Sequence, residues 1–112
     1  MRRKRRASVE VVVVLVTCPS VAVARRLANR LVQARLAACV NVLPGVESTF
    51  WWQGKVERCR ETLLLIKTTV GAFPQLRQAV VDLHPYEVPE VIALPITAGH
   101  RAYLAWVRSA LR

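Results

Sequence analysis

The chain has 112 residues, 54% of them apolar, and a formal net charge of +10. That length holds one domain rather than two, and so large an apolar share excludes a disordered chain. No apolar run approaches the ~20 residues that a membrane-crossing helix needs.

The charge is unevenly placed. Arg2, Arg3, Lys4, Arg5 and Arg6 carry +5 of it, and the remaining twelve basic and seven acidic residues carry another +5. A block of like charge stays solvated, so residues 1–8 read as a disordered basic tail and residues 9–112 as the folded domain. Such a tail meets nucleic acid only non-specifically, through phosphate. Arg5-Arg6-Ala7-Ser8 also has the pattern of a basophilic kinase acceptor. A basic start followed by VVVVLVTC imitates a secretory signal, but Glu10 interrupts it and Val11–Val16 is only six residues long. Cysteines 18, 39 and 59 form no C-x-x-C pair, which excludes a disulfide framework or a structural zinc site. With no export signal, a reducing cytoplasm is the simplest setting.

Val9–Thr17 is β-branched and nearly continuous in apolar residues, as in a central strand buried on both faces. Cys18-Pro19-Ser20 ends it, and Ser20 can cap the next element. Val21–Leu36 has helical spacing. Ala24, Leu27, Ala28 and Leu31 lie on one face, and arginines 25, 26 and 30 lie on the other with no acid beside them. Ala38–Trp52 returns to strand chemistry, with Pro44-Gly45 reading as a bulge rather than a stop. Gln53-Gly54-Lys55 is a tight turn, and Val56–Thr69 is the second arm of a hairpin. Gly71-Ala72-Phe73-Pro74 opens a helix whose stripe is Leu76, Ala79, Val80 and Leu83, ending at Pro85. Glu90–Ile96 is a further strand. A last helix, His100–Leu111, presents Tyr103, Trp106, Val107 and Ala110 on one side.

The order β-α-β-β-α-β-α predicts an α+β fold, a ferredoxin-like βαββαβ sandwich with an additional C-terminal helix. Each hairpin arm, about 14 residues long, would reach ~46 Å if straight, whereas a compact chain of this size has a radius of gyration of only ~13 Å. The ribbon therefore overhangs its own globule. Its edges and Phe50-Trp51-Trp52 need a cover, which closed symmetric oligomerisation supplies.

The stretch LHPYEVPE, residues 83–90, invites two readings. His84 and Glu90 form an imidazole–carboxylate pair suited to zinc or copper(II), with Cys18 or Cys39 to complete it. Alternatively, His84 satisfies a helix C-terminus while Pro85 and Pro89 stiffen a connection. Cys39, among alanines and valines, reads as a core thiol. Cys59 lies between Arg58 and Arg60, whose charge should lower its thiol pKa. Lys67 interrupts an apolar strand; it either faces solvent or needs a carboxylate such as Glu61, Glu87 or Glu90. No phosphate-binding glycine loop, nucleophile elbow or H-E-x-x-H occurs, so nothing argues for an enzyme.

V-T-C-P-S, R-L-A-A-C-V-N-V-L-P-G-V, W-Q-G-K-V, L-L-L-I-K-T-T, H-P-Y-E-V-P-E and L-P-I, in this order, resemble the CutA family of divalent-cation tolerance proteins. The resemblance runs from about Val11 to Leu111. It implies a tight homotrimer of PII-like architecture, non-enzymatic, that binds a divalent metal, Cu(2+) first among them. Family members described as binding copper use a cysteine near the end of the first strand and histidines before the P-Y. Here His84 takes the last of these positions, preceded by Leu83. Val16 stands where the L-C-T-x-P form has cysteine, and Cys18 follows two residues later. The metal residues implied are thus His84, Cys18 and Glu90, and the residues expected at inter-subunit clefts are Cys39, Lys67, Tyr86 and Trp52. Two other functions fit a trimer: a PII-like sensor that binds a small anion through arginines and Lys67, and a stable scaffold.

Overall fold

The computed structural model describes residues 8–111; of the tail only Ser8 is among them, and Arg5 and Arg6 of the kinase pattern lie outside the described residues. The elements follow the expected order: β1 (Val11–Cys18), α1 (Val21–Gln33), β2 (Cys39–Trp52), β3 (Lys55–Thr69), α2 (Phe73–Leu83), β4 (Ile92–Pro95) and α3 (Arg101–Ala110). One sheet has the strand order β2-β3-β1-β4, with every neighbouring pair antiparallel. This is the split-βαβ arrangement.

Ser20 starts α1: its Oγ accepts from the Val23 N–H at 3.2 Å, satisfying a donor that the first turn leaves open. Ala24, Leu27 and Leu31 are buried. The helix ends three residues before the expected Leu36 because Arg35 turns left-handed, at φ +58°. The N–H groups of Leu36 and Ala37 then close on the Leu31 carbonyl at 3.0 and 3.2 Å. These residues pack on one sheet face with Val14, Val16, Leu64 and Ile66, joined by Leu76 and Val80 of α2. Full burial of each such side chain contributes about 1.5–3 kcal/mol. Thr68 is also buried, and its hydroxyl donates to the Leu36 carbonyl at 2.6 Å. α2 starts at Phe73 rather than Gly71, because the N–H groups of Ala72 and Phe73 close a turn onto Thr69 and Val70.

The other sheet face is unfinished, which corrects the expectation of a first strand buried on both sides. Val13, Leu15 and Thr17 alternate as half-buried residues with the buried Val12, Val14 and Val16. They pair with Lys67, Leu65 and Leu63, which are themselves half-buried. α3 crosses one end of this face. Of the residues expected on one side of this helix, Val107 is fully buried there, but Tyr103 and Trp106 stay exposed. Cys39 is likewise half-buried rather than a core thiol. Lys67 meets an amide, not a carboxylate: its Nζ donates to the Asn41 side chain.

The ribbon takes the expected form. Gln53 (φ +50°) and Gly54 (φ +82°) make a two-residue loop between the paired Trp52 and Lys55. Two left-handed residues give the turn whose twist matches the strands. The register shifts between Leu43 and Val46, where Gly45 is also left-handed, at φ +78°; Pro44-Gly45 is therefore a bulge. The molecule measures 47 × 26 × 26 Å, with a radius of gyration of 14.8 Å against ~13 Å for a compact chain. β4 is shorter than the expected Glu90–Ile96. It pairs only as far as Ile92 opposite Leu15, and two residues further along β1 the Thr17 carbonyl is taken by the His84 ring.

Candidate functional site

His84 follows the last turn of α2 in extended conformation, as the following proline demands. The ring is buried and both of its nitrogens are engaged. Nδ1 accepts the Tyr86 N–H at 3.0 Å, which leaves the ring proton on Nε2, and Nε2 donates to the Thr17 carbonyl at 2.8 Å. His84 thereby ties the 84–90 connection to the end of β1. A metal ion at this ring would have to displace one of these backbone partners.

The stapled connection forms one wall of an open cleft of about 940 Å³; the ribbon forms the other. Its acidic lining is Glu47, Glu57, Glu61, Glu87 and Glu90, five of the seven carboxylates in a chain of net charge +10. Strand alternation places Glu57, Cys59 and Glu61 on the same side of β3. Glu61 is the hub. It is only 8% exposed, and its Oε2 accepts the Tyr86 hydroxyl at 2.9 Å.

The titrations of its neighbours report the local field. Burial, then the bond to and charge of Glu61, push the Tyr86 phenol up. Burial and then Glu61 push the Glu90 carboxyl up. The Cys18 thiol is pushed up to about 11 by burial and then Glu61. The expectation for Cys59 is reversed: its thiol is raised, by burial and then by Glu61 and Glu57, which share its side of β3; Arg58 also lines the cleft but does not offset them. Each shift disfavours further negative charge, so a cation entering the cleft would relieve all of them. The described residues contain a single ion pair, Lys55–Glu57 at 3.8 Å near the ribbon tip.

Of the residues expected to matter, Trp52, Tyr86 and Glu90 line this cleft. His84 stands behind its wall, bonded to Thr17, which is a lining residue. Cys18 is buried at the end of β1, opposite Thr62. Cys39 and Lys67 pair with each other at the far end of β3, outside the cleft lining; there Tyr103 of α3 reaches Cys39. Sequence reasoning missed Glu61 as the hub, along with Glu47 and Glu57. The signal was available in the i, i+2, i+4 spacing of Glu57, Cys59 and Glu61. The donors offered, carboxylate and phenol oxygens, suit a divalent cation. Among the described residues, however, no three His, Cys, Asp or Glu side chains converge closely enough to hold a metal between them.

Residues 12–110 match the family described as CutA1 divalent ion tolerance protein. The chain is 57% identical over 96 residues to the divalent-cation tolerance protein CutA of Thermus thermophilus, covering 86% of this chain and 93% of that one. It is 50% identical over 93 residues to human protein CutA, covering 83% of this chain but only 52% of the longer relative. The crystal structure of CutA1 from Oryza sativa superposes with a TM-score of 0.90 at 45% identity, covering 95% of this chain and 97% of that one.

Proposed function

Because this chain belongs to the CutA1 divalent ion tolerance family, we propose that it binds a divalent cation in the acidic cleft, as a homotrimer, in the service of cation tolerance. The observation that carries this reading is the gathering of five of seven carboxylates on one cleft. Glu61 and Glu90 are the ligands we assign, with Tyr86 orienting Glu61. Cu(2+) is the ion we assign first, because a given N/O site generally binds it more tightly than the other first-row divalent ions. Recruiting His84 requires loss of a backbone bond, and recruiting Cys18 requires a proton to leave a thiol raised to about 11. Both belong to a second, rearranged mode of binding.

The trimer reading rests on what one chain leaves uncovered. Trp51 is 75% exposed, and Phe50, Trp52, Val56, Ile92 and Leu94 are exposed with it. Together they form an apolar ribbon tip and an open sheet edge that copies of the chain would bury. A neighbouring copy would also bring the ligands that a single cleft lacks. The role is binding rather than catalysis, and the setting we propose is cytoplasmic.

Electron paramagnetic resonance of added Cu(2+) tests the ligand set. The oxygen-ligand reading expects no nitrogen hyperfine lines, and Glu61→Gln with Glu90→Gln should abolish the bound signal. Nitrogen lines that vanish in His84→Ala would move the site to the histidine.

A further inference from the structure

We infer that the outer face of α1 is a docking surface for the phosphate backbone of duplex nucleic acid, separate from the acidic cleft. Arg25, Arg26, Arg30 and Arg35 are all exposed on or just beyond this helix. None has an ion-pair partner among the described residues, where Lys55–Glu57 is the single pair. The helix has no acid in its first turn. With five of the seven carboxylates in the cleft, the two that remain are Glu10 and Asp82. Asp82 lies on α2 and accepts from the Gln78 amide at 2.8 Å. The α1 face thus carries exposed arginines and no acid of its own, whereas the ribbon mixes its acids with Lys55, Arg58 and Arg60.

This arrangement costs the helix something. Arg26 and Arg30 are i, i+4 like-charge neighbours, a destabilising pair, although Arg30, in the last turn, also complements the helix dipole. Folding does not explain the unpaired Arg25 and Arg26, whereas a polyanion would relieve the repulsion between Arg26 and Arg30.

The residue types select the partner. Asn29 and Gln33 are exposed between the arginines, and a face of Arg, Asn and Gln is rich in donors for phosphate and base edges. The chain has fourteen arginines and three lysines, and the planar guanidinium grips phosphate in bidentate fashion. A helix of ~10–12 Å diameter fits a major groove ~12 Å wide. A lipid surface fits less well. Interfacial helices bury their apolar face in the bilayer, but Ala24, Leu27 and Leu31 of α1 are already buried in the core. The exposed aromatics Phe50, Trp51, Trp52, Tyr103 and Trp106 all lie on other elements.

Ser8 and Val9 line a small cavity together with Arg35 and Arg108, and Ser8 lies two positions after Arg6 in sequence.

Fluorescence anisotropy of the full chain with a labelled 24-base-pair duplex tests the inference, measured across a salt series and alongside anionic phosphatidylserine vesicles. Binding should weaken with salt at a log–log slope of about −0.9 per neutralised phosphate. The triple variant R25E/R26E/R30E should lose at least ~10-fold in affinity and about three phosphates of slope, with an unchanged circular dichroism spectrum. A tail variant, R2S/R3S/K4S/R5S/R6S, should weaken binding while keeping a salt-dependent remainder. The inference fails if the duplex does not bind at low salt, if the α1 variant binds like the parent, or if the tail variant alone abolishes binding. It fails equally if vesicles bind and the duplex does not.

Discussion

The two faces of the single sheet differ in how far one chain completes them. On one face Val14, Val16, Leu64 and Ile66 are wholly excluded from solvent under α1 and α2. On the other, Leu15, Leu63 and Leu65 are only half-buried, and the ribbon carries Trp51 into solvent. Both faces have the same β-branched and leucine-rich composition, so composition does not separate them; the covering helices do. α3 spans too little of the second face, and what it leaves open is continuous with the ribbon tip and the β4 edge. The packed face gives the subunit its stability, and the open face presents surface that further copies can use.

Mutations can break or sharpen this contrast. The largest effect should come from Leu64→Ala on the packed face, which should cost about 2–5 kcal/mol in denaturant unfolding. The same change at its neighbour Leu65 should cost far less within the subunit and should instead make stability depend on protein concentration; equal and concentration-independent losses would erase the distinction. Next, Trp51→Ser should leave the circular dichroism spectrum unchanged. It should shift light-scattering mass from about 38 kDa, three copies of a 12.6 kDa chain, towards the single chain on dilution. Ser20→Ala removes the α1 cap and should cost about 1 kcal/mol on the packed side alone, leaving mass unaltered.

The smallest effect concerns pH. The folded chain holds the Glu90 proton more tightly than the unfolded chain, because of burial and Glu61. Between the ordinary carboxylate pKa and the raised one, the native state binds more protons, so stability falls as pH rises through that window. Glu90→Gln should therefore stabilise the protein at neutral pH and change little at pH 3, as thermal melts at the two pH values would show. Bound divalent cation should diminish the neutral-pH gain.

The fold was legible because its signals are local. The period-3.6 spacing of Ala24, Leu27 and Leu31, the turn chemistry of Gln53-Gly54, and the length of the hairpin arms each act within a few residues. Boundaries moved where a backbone group found an unforeseen partner: Arg35 adopted a left-handed conformation and cut α1 short, and the His84 ring took the Thr17 carbonyl and shortened β4. The site was less legible because it is tertiary. Glu61 and Tyr86 lie 25 positions apart and meet only when the ribbon folds over the 84–90 connection. The histidine that looked like a ligand has both nitrogens on backbone groups, and the cysteine flanked by arginines shares its side with carboxylates. Sequence adjacency misled in that case because residues two apart on a strand share a side.

The central claim is that Glu61 anchors a divalent cation in the cleft. Calorimetric titration of the full chain with Cu(2+), parent against Glu61→Gln, tests it most directly, because the glutamine keeps an acceptor for the Tyr86 hydroxyl while removing the charge. The account predicts saturable binding by the parent and a loss in the variant of at least the ~10–100-fold that removal of a ligand's supporting group costs, with unchanged thermal stability in the absence of metal or a small gain. Equal affinity in the two proteins would contradict it.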